Sequence, residues 1–219
     1  MPASRSYGEN VFINCPFDTT YRPLFDAVIF AVHDCGFIAR SAQEVVDAGE
    51  VRIDKILRLI RESQFGVHDI SRTESDPETK LPRFNMPLEL GLFMGARTFG
   101  IGRQRHKVTL VLERRRYSYH RYCSDIAGQD INAHNGRQAR VITIVRDWLS
   151  THSSKPMPSG SVIANRFKTF QASIARHVHT GRSGGEGIDI FRLHGDGREV
   201  AQGRTRTAGT NPPTNDIAC

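Results

Sequence analysis

Phe65-Gly66-Val67-His68-Asp69-Ile70 is the stretch whose reading decides the fold. It is short, nearly continuously apolar, and polar only towards its end. That pattern predicts a strand buried on both faces rather than one that alternates between core and water. A helical pattern lies on either side of it. Residues 52–63 place Ile53, Ile56, Leu57 and Ile60 on an inner face, with Arg52, Lys55, Arg58, Arg61 and Glu62 mostly opposite. The next helix runs to about residue 99. Asn85 suits its N-cap and Pro87 its first turn. Leu88, Leu90, Leu92, Phe93 and Met94 point in nearly every direction, which predicts a buried helix. Gly91, Gly95 and Ala96 in the same helix leave room for the close approach of another backbone or a ligand.

Working outward, the same alternation repeats. Residues 1–9 are polar and predicted to be loose. Val11-Phe12-Ile13-Asn14-Cys15 reads as a buried strand closed by Pro16. Residues 21–35 carry Leu24, Val28, Phe30, Ala31 and Val32 at helical spacing, and Gly36 is a natural stop. Residues 37–40 and 107–112 supply two more strands. Strand and helix in turn, with apolar strands, imply a parallel sheet covered on both faces: an α/β domain over about residues 10–180. Residues 71–83, rich in Asp, Glu, Pro and Thr, read as a loop long enough to act as a lid. From about residue 117 the chain turns helical. Residues 135–149 carry Ala139, Ile142, Val145, Trp148 and Leu149 inward, and residues 161–178 carry Ile163, Phe167, Phe170 and Ile174. Residues 117–122 are aromatic and basic, and residues 124–131 are too polar for core and too compact for a linker. Residues 181–219, dominated by Gly, Arg, Thr and Pro, read as a disordered tail.

Composition bounds the function. The chain has 219 residues, 38% of them hydrophobic and 24% charged, enough for one α/β domain with extensions. No run approaches the roughly 18 apolar residues of a membrane span, and the N-terminus lacks the apolar core of a signal peptide. The expectation is a cytoplasmic protein with no membrane contact. Cys15, Cys35, Cys123 and Cys219 are scattered without metal-ligand spacing; Cys15 and Cys35 sit in apolar contexts and read as reduced core thiols. No metal site is expected. A net charge of +7 leaves polyanion contact open, through the clusters Arg103, Arg105, His106, Lys107 and Arg114, Arg115, Arg116. A solvated basic face accounts for the same residues, and no zinc-finger or RNA-binding motif favours nucleic acid over it.

In parallel sheets, ligands bind beyond the carboxyl ends of the strands. Those ends carry Asn14, Pro16, Phe17, Arg40, Asp69 and Ser71, and the helix bearing Asn85, Met86 and Glu89 starts at the same edge. Two carboxylates with a hydroxyl suit chemistry on a sugar: one attacks or stabilises an anomeric carbon while the other orients hydroxyls or a base. Glu89 also has a plainer reading, as an acid complementing the positive end of its helix. His68 alternates away from Asp69 and reads as a packed histidine. His134 and His120 read as exposed and without a defined partner. No nucleophile-elbow, Walker or Rossmann motif is present. Asp125 is a further candidate because acids are few after the sheet.

Phe12-Ile13-Asn14-Cys15-Pro16-Phe17, His68-Asp69-Ile70-Ser71 and Met86-Pro87-Leu88-Glu89-Leu90-Gly91 together resemble the nucleoside 2-deoxyribosyltransferase-like family, a cousin of TIR domains. The resemblance covers roughly residues 10–112. It implies a flavodoxin-like (Rossmann-like) three-layer sandwich with a mostly parallel sheet. It also implies an N-glycosidase or glycosyltransferase acting on a nucleoside or nucleotide, NAD included as substrate, with no separate cofactor. Carried over, Glu89 is the nucleophile and Asp69 the substrate-binding carboxylate. Asn14, Pro16, Phe17, Arg40, Ser71, Asn85, Met86 and Asp125 are expected around the substrate, with Phe17 stacking on the base. The aspartate that the transferases place just before the helix has no counterpart here, since Arg83, Phe84 and Asn85 precede it. Hydrolysis, or nucleotide binding without turnover, therefore stands beside base exchange. Residues 117–149 resemble bacterial anti-phage defence proteins of this kind, which implies an effector or signal producer with a homo-oligomer or a defence-system protein as partner.

Overall fold

The structure is a computed structural model and describes residues 7–44, 49–72 and 84–179. Its sheet has five strands, all parallel, in the order β2-β1-β3-β4-β5. They are β1 (Asn10–Asn14), β2 (Ile38–Arg40), β3 (Phe65–Asp69), β4 (Val108–Glu113) and β5 (Ile131–Ala133). The helices are α1 (Arg22–Asp34), α2 (Arg52–Glu62), α3 (Asn85–Phe99), α4 (Gln138–Thr151) and α5 (Gly160–His179). This is the flavodoxin-like three-layer arrangement. Register runs Val11 to Phe65 and Asn14 to His68 between β1 and β3, then Phe65 to Val108 and Asp69 to Leu112 between β3 and β4. The central strands therefore end within about two residues of one another, at Asn14, Asp69 and Glu113.

Alternation along the strands divides the core. Val11, Ile13, Phe65, Val67, Leu110 and Leu112 meet α1 and α4, with α5 closing that layer through Ile163 and Phe167. Phe12 turns the other way and joins Ile56, Leu59, Ile60 and Phe93 from α2 and α3. Gly66 is required where it stands. A Cβ there would lie 2.6 Å from His68 Nε2 and 2.8 Å from Phe93 Cζ, both in buried rings. Gly36 ends α1 with φ of +79°, a conformation that costs a side chain 1–2 kcal/mol.

Several expectations are corrected. Residues 117–134 are not a prelude to helices alone: β5 adds a fifth strand, too short and too polar for periodicity to find. Asn85 is the first helical residue and Phe84 the N-cap, with no side-chain cap. Helix α3 is one-sided, because Met86, Glu89, Leu90 and Phe93 are buried while Leu88 is 56% and Phe99 86% exposed. Among the described residues nothing comes within 4 Å of a Cβ at Gly91, so no other backbone makes the close approach expected there. In α2, Ile53 and Leu57 face outward and Lys55 is buried, a rotation of the expected stripe. Residues 7–9 are a 3-10 turn rather than loose chain, held where the Tyr7 hydroxyl donates to the Arg103 carbonyl at 2.8 Å. The predicted lid lies outside the described residues save for Ser71 and Arg72, and so does the predicted tail. No helix among the described residues is long and apolar enough to cross a membrane.

The first basic cluster lies at the amino-terminal edge of the sheet, where Arg103, Arg105 and His106 are exposed and Lys107 is taken into the fold. Lys107 is buried, donates to the carbonyls of Ile60 and Ser63 at 2.5 Å each, and lies 4.5 Å from the centre of the Phe93 ring. Arg103 covers the Tyr7 ring, and Arg105 donates to the Gly100 carbonyl.

Candidate functional site

At the carboxyl ends of β1 and β3, buried polar groups replace the apolar core. Asp69 ends β3 and is fully buried. One of its oxygens, Oδ1, accepts the Ser71 backbone N–H at 2.8 Å. The other, Oδ2, accepts the Tyr21 hydroxyl at 2.5 Å and lies 3.0 Å from His134 Nε2. The tautomer of His134 follows from its surroundings. Its Nδ1 accepts the Gly136 N–H at 2.9 Å, so the ring proton sits on Nε2, aimed at Asp69 and at Ser71 Oγ 2.9 Å away. His134 comes from the turn after β5, where Asn135 and Gly136 both take positive φ. The expectation that it is exposed and unpartnered is thus overturned: it is fully buried. Sequence reasoning missed it because the strand that delivers it was itself missed. Tyr21 was missed too; it read as a helix residue, and only the fold turns its hydroxyl onto Asp69.

Cys15 is fully buried next to this knot, where the Tyr21 hydroxyl and the Asp69 backbone bear on its thiol. Burial pushes its thiol well above the usual range, and the charges of Asp69 and Glu89 push it the same way. Burial likewise raises the Tyr21 phenol, reinforced by Asp69.

Glu89 sits one turn into α3 and is 5% exposed. Loss of water pushes its carboxyl up to about 7, with the Arg52 guanidinium pulling weakly the other way. No hydrogen bond holds it among the described residues. Arg52 also lies 5.8 Å from the centre of the half-buried Phe17 ring. Phe17, Arg52 and Glu89 thus occupy one neighbourhood, from the β1–α1 turn, the start of α2 and the start of α3. A buried, weakly compensated carboxylate at the carboxyl edge of a parallel sheet can act as a nucleophile or as a counter-charge for a cationic carbon.

The other candidates divide. Asn14 is fully buried and structural: its amide donates to His68 Nδ1 at 3.0 Å and to the Met86 carbonyl at 2.9 Å, tying β1 to β3 and α3. His68 is packed as expected, and burial, aided by Lys107, drives its imidazole down to about 3. Pro16 is buried beside Cys15, and Met86 contributes its carbonyl and apolar bulk. Arg40 is ion-paired to Glu44 at 2.9 Å and Glu62 at 3.4 Å, away from Asp69. Asn85 is exposed at the helix start. Asp125 is exposed on a 3-10 turn, with no contact to either carboxylate among the described residues.

On the α1–α4 side of the knot a cleft of about 540 Å³ opens. Its walls include Tyr21, Ser71, Arg72, Arg114, His134 and Arg137. Arg72 is ion-paired to Asp18, with Nε 3.0 Å from Oδ2. Among the described residues no three His, Cys, Asp or Glu side chains are grouped to hold a metal ion.

A scan against protein-family models finds no match for this chain, and a search of curated proteins finds none either.

Proposed function

We propose that this protein cleaves the N-glycosidic bond of a nucleoside or nucleotide, with Glu89 as the reacting carboxylate. The observation that carries the reading is Glu89 itself: a buried acid, unbonded among the described residues and pushed up to about 7, beside Phe17 and Arg52. As a carboxylate it would attack C1′ of the sugar or stabilise positive charge there as the C1′–N bond breaks. The base leaves with the bond's electron pair and takes up a proton; water then adds its oxygen to C1′ and releases a proton. Phe17 offers a face for the base. Asp69 is a positioning residue in this scheme, because its oxygens are committed to Tyr21, His134 and Ser71. It holds the Ser71 backbone N–H and faces the buried His134 ring, which in turn contacts the Ser71 hydroxyl beside the cleft.

That same commitment of Asp69 favours a second reading, a nucleotide-binding module without turnover, in which Asp69 is not free to hold the ribose. A chromatographic screen separates the two. The protein is incubated with NAD, NADP, ATP and a panel of ribo- and deoxynucleosides, beside Glu89→Gln. Free base or nicotinamide released by the wild type alone supports the enzyme; saturable binding with intact ligands supports the module.

A further inference from the structure

We propose that the cleft between α1 and α4 is a binding site for the phosphate or pyrophosphate group of a nucleotide. The nucleotide part rests on the reading above; the phosphate part stands on the cleft itself.

The charges in the cleft do not cancel. Arg72 is matched by Asp18, and Asp69 is buried behind three donors. Arg114 and Arg137, both exposed, have no acceptor among the described residues. Their placement has a structural cause. The Arg114 carbonyl accepts the Asn135 N–H at 2.9 Å, so the end of β4 is clamped to the turn that starts α4. Arg137 is the N-cap of α4, where no side chain caps the helix. The N–H groups of Gln138 and Ala139 have no acceptor among the described residues. Gln138 spends its side chain on the Pro23 carbonyl at 3.0 Å, which locks α4 against α1. Two guanidinium groups and the open end of a 14-residue helix thus border one cavity. Planar guanidinium forks and free helix N–H groups are the donors that phosphate oxygens require. The volume falls in the range of sites that enclose a small ligand.

The site is also wired to the knot. Ser71 and His134 line the cleft, and both are hydrogen-bonded to Asp69. An anion there would lie beside Ser71, whose backbone N–H is held by Asp69 and whose hydroxyl contacts the buried His134 ring.

Binding calorimetry tests this without relying on turnover. Wild type is titrated with pyrophosphate, ADP, AMP and adenosine at low salt. ADP is expected to bind at least about tenfold more tightly than adenosine. In the double variant Arg114→Ala/Arg137→Ala that advantage should vanish while adenosine binding stays. Arg114→Lys/Arg137→Lys should restore part of it, and circular dichroism should match wild type throughout because both side chains are exposed. Equal affinities for ADP and adenosine, or an ADP affinity unchanged in the alanine pair, would overturn the proposal. Tighter binding of a single-stranded oligonucleotide than of ADP, lost in the same variant, would overturn it in favour of a nucleic-acid backbone. Where base release is measurable, competitive inhibition by pyrophosphate would assign the site to the substrate's own phosphate. Inhibition or activation without competition would assign it to a separate phosphate-bearing effector.

Discussion

Glu89→Gln should make the protein more stable at alkaline pH and leave it unchanged in acid. The carboxyl is lifted from its ordinary 4.5 to about 7 by burial. Between those values the unfolded chain gives up its proton while the folded chain keeps it. The folded state binds more protons, so stability falls as pH rises through this window. At about 1.4 kcal/mol per pH unit, the penalty for ionising Glu89 in place approaches about 3 kcal/mol above pH 7. With only 5% of the residue exposed, solvent screens little of it. Glutamine keeps the shape and never ionises. Urea denaturation of both proteins from pH 4 to pH 9 is the assay. The difference in unfolding free energy should be near zero at pH 4, then grow to about 3 kcal/mol in favour of the variant by pH 8. Titrations elsewhere cancel in that difference. Profiles that run parallel across the range would refute the claim that Glu89 is strained by burial.

Three further outcomes are expected. Gly66→Ala should cost about 1–3 kcal/mol, because its methyl meets the buried rings of His68 and Phe93, whereas Gly91→Ala, with open space around it, should stabilise α3 by about 0.5–1 kcal/mol; thermal unfolding reads both. Lys107→Met should destabilise by about 1–3 kcal/mol, since it leaves the Ile60 and Ser63 carbonyls buried without a donor; restored stability on chemical denaturation would show the ammonium to be dispensable. The His68 imidazole, held near 3, should stay neutral in ring NMR spectra down to about pH 4.

The fold was legible where burial writes a period. β1 and β3 are apolar at their centres, buried along their whole length, and bounded by Pro16 and by helical patterns, so one sequence reading serves. The helix faces were less so. Ile53 and Leu57 look like core because they are apolar, yet Lys55 takes the buried place, its stem being as apolar as theirs. Ile131–Ala133 has three residues and an Asn between its apolar ones, so its strand state comes from pairing with β4 rather than from its own composition. The candidate site divides the same way. Asp69 and Glu89 were visible because carboxylates at a sheet edge demand an explanation. His134 was hidden because nothing in Ala133-His134-Asn135-Gly136 says that it reaches a residue 65 positions earlier; only the register of β5 does that. Arg114, seen as one of a basic run, gained meaning only when its backbone was found clamped to the start of α4.

The central claim is that Glu89 breaks a glycosidic bond. Its most direct test is free-base release from the nucleotide panel, followed from pH 5 to pH 9 for wild type and Glu89→Gln. The account predicts release by wild type that rises through about pH 7 as Glu89 ionises, and none by the variant. Release by Glu89→Gln at the wild-type rate, or nucleotides left intact by wild type at every pH, would contradict it.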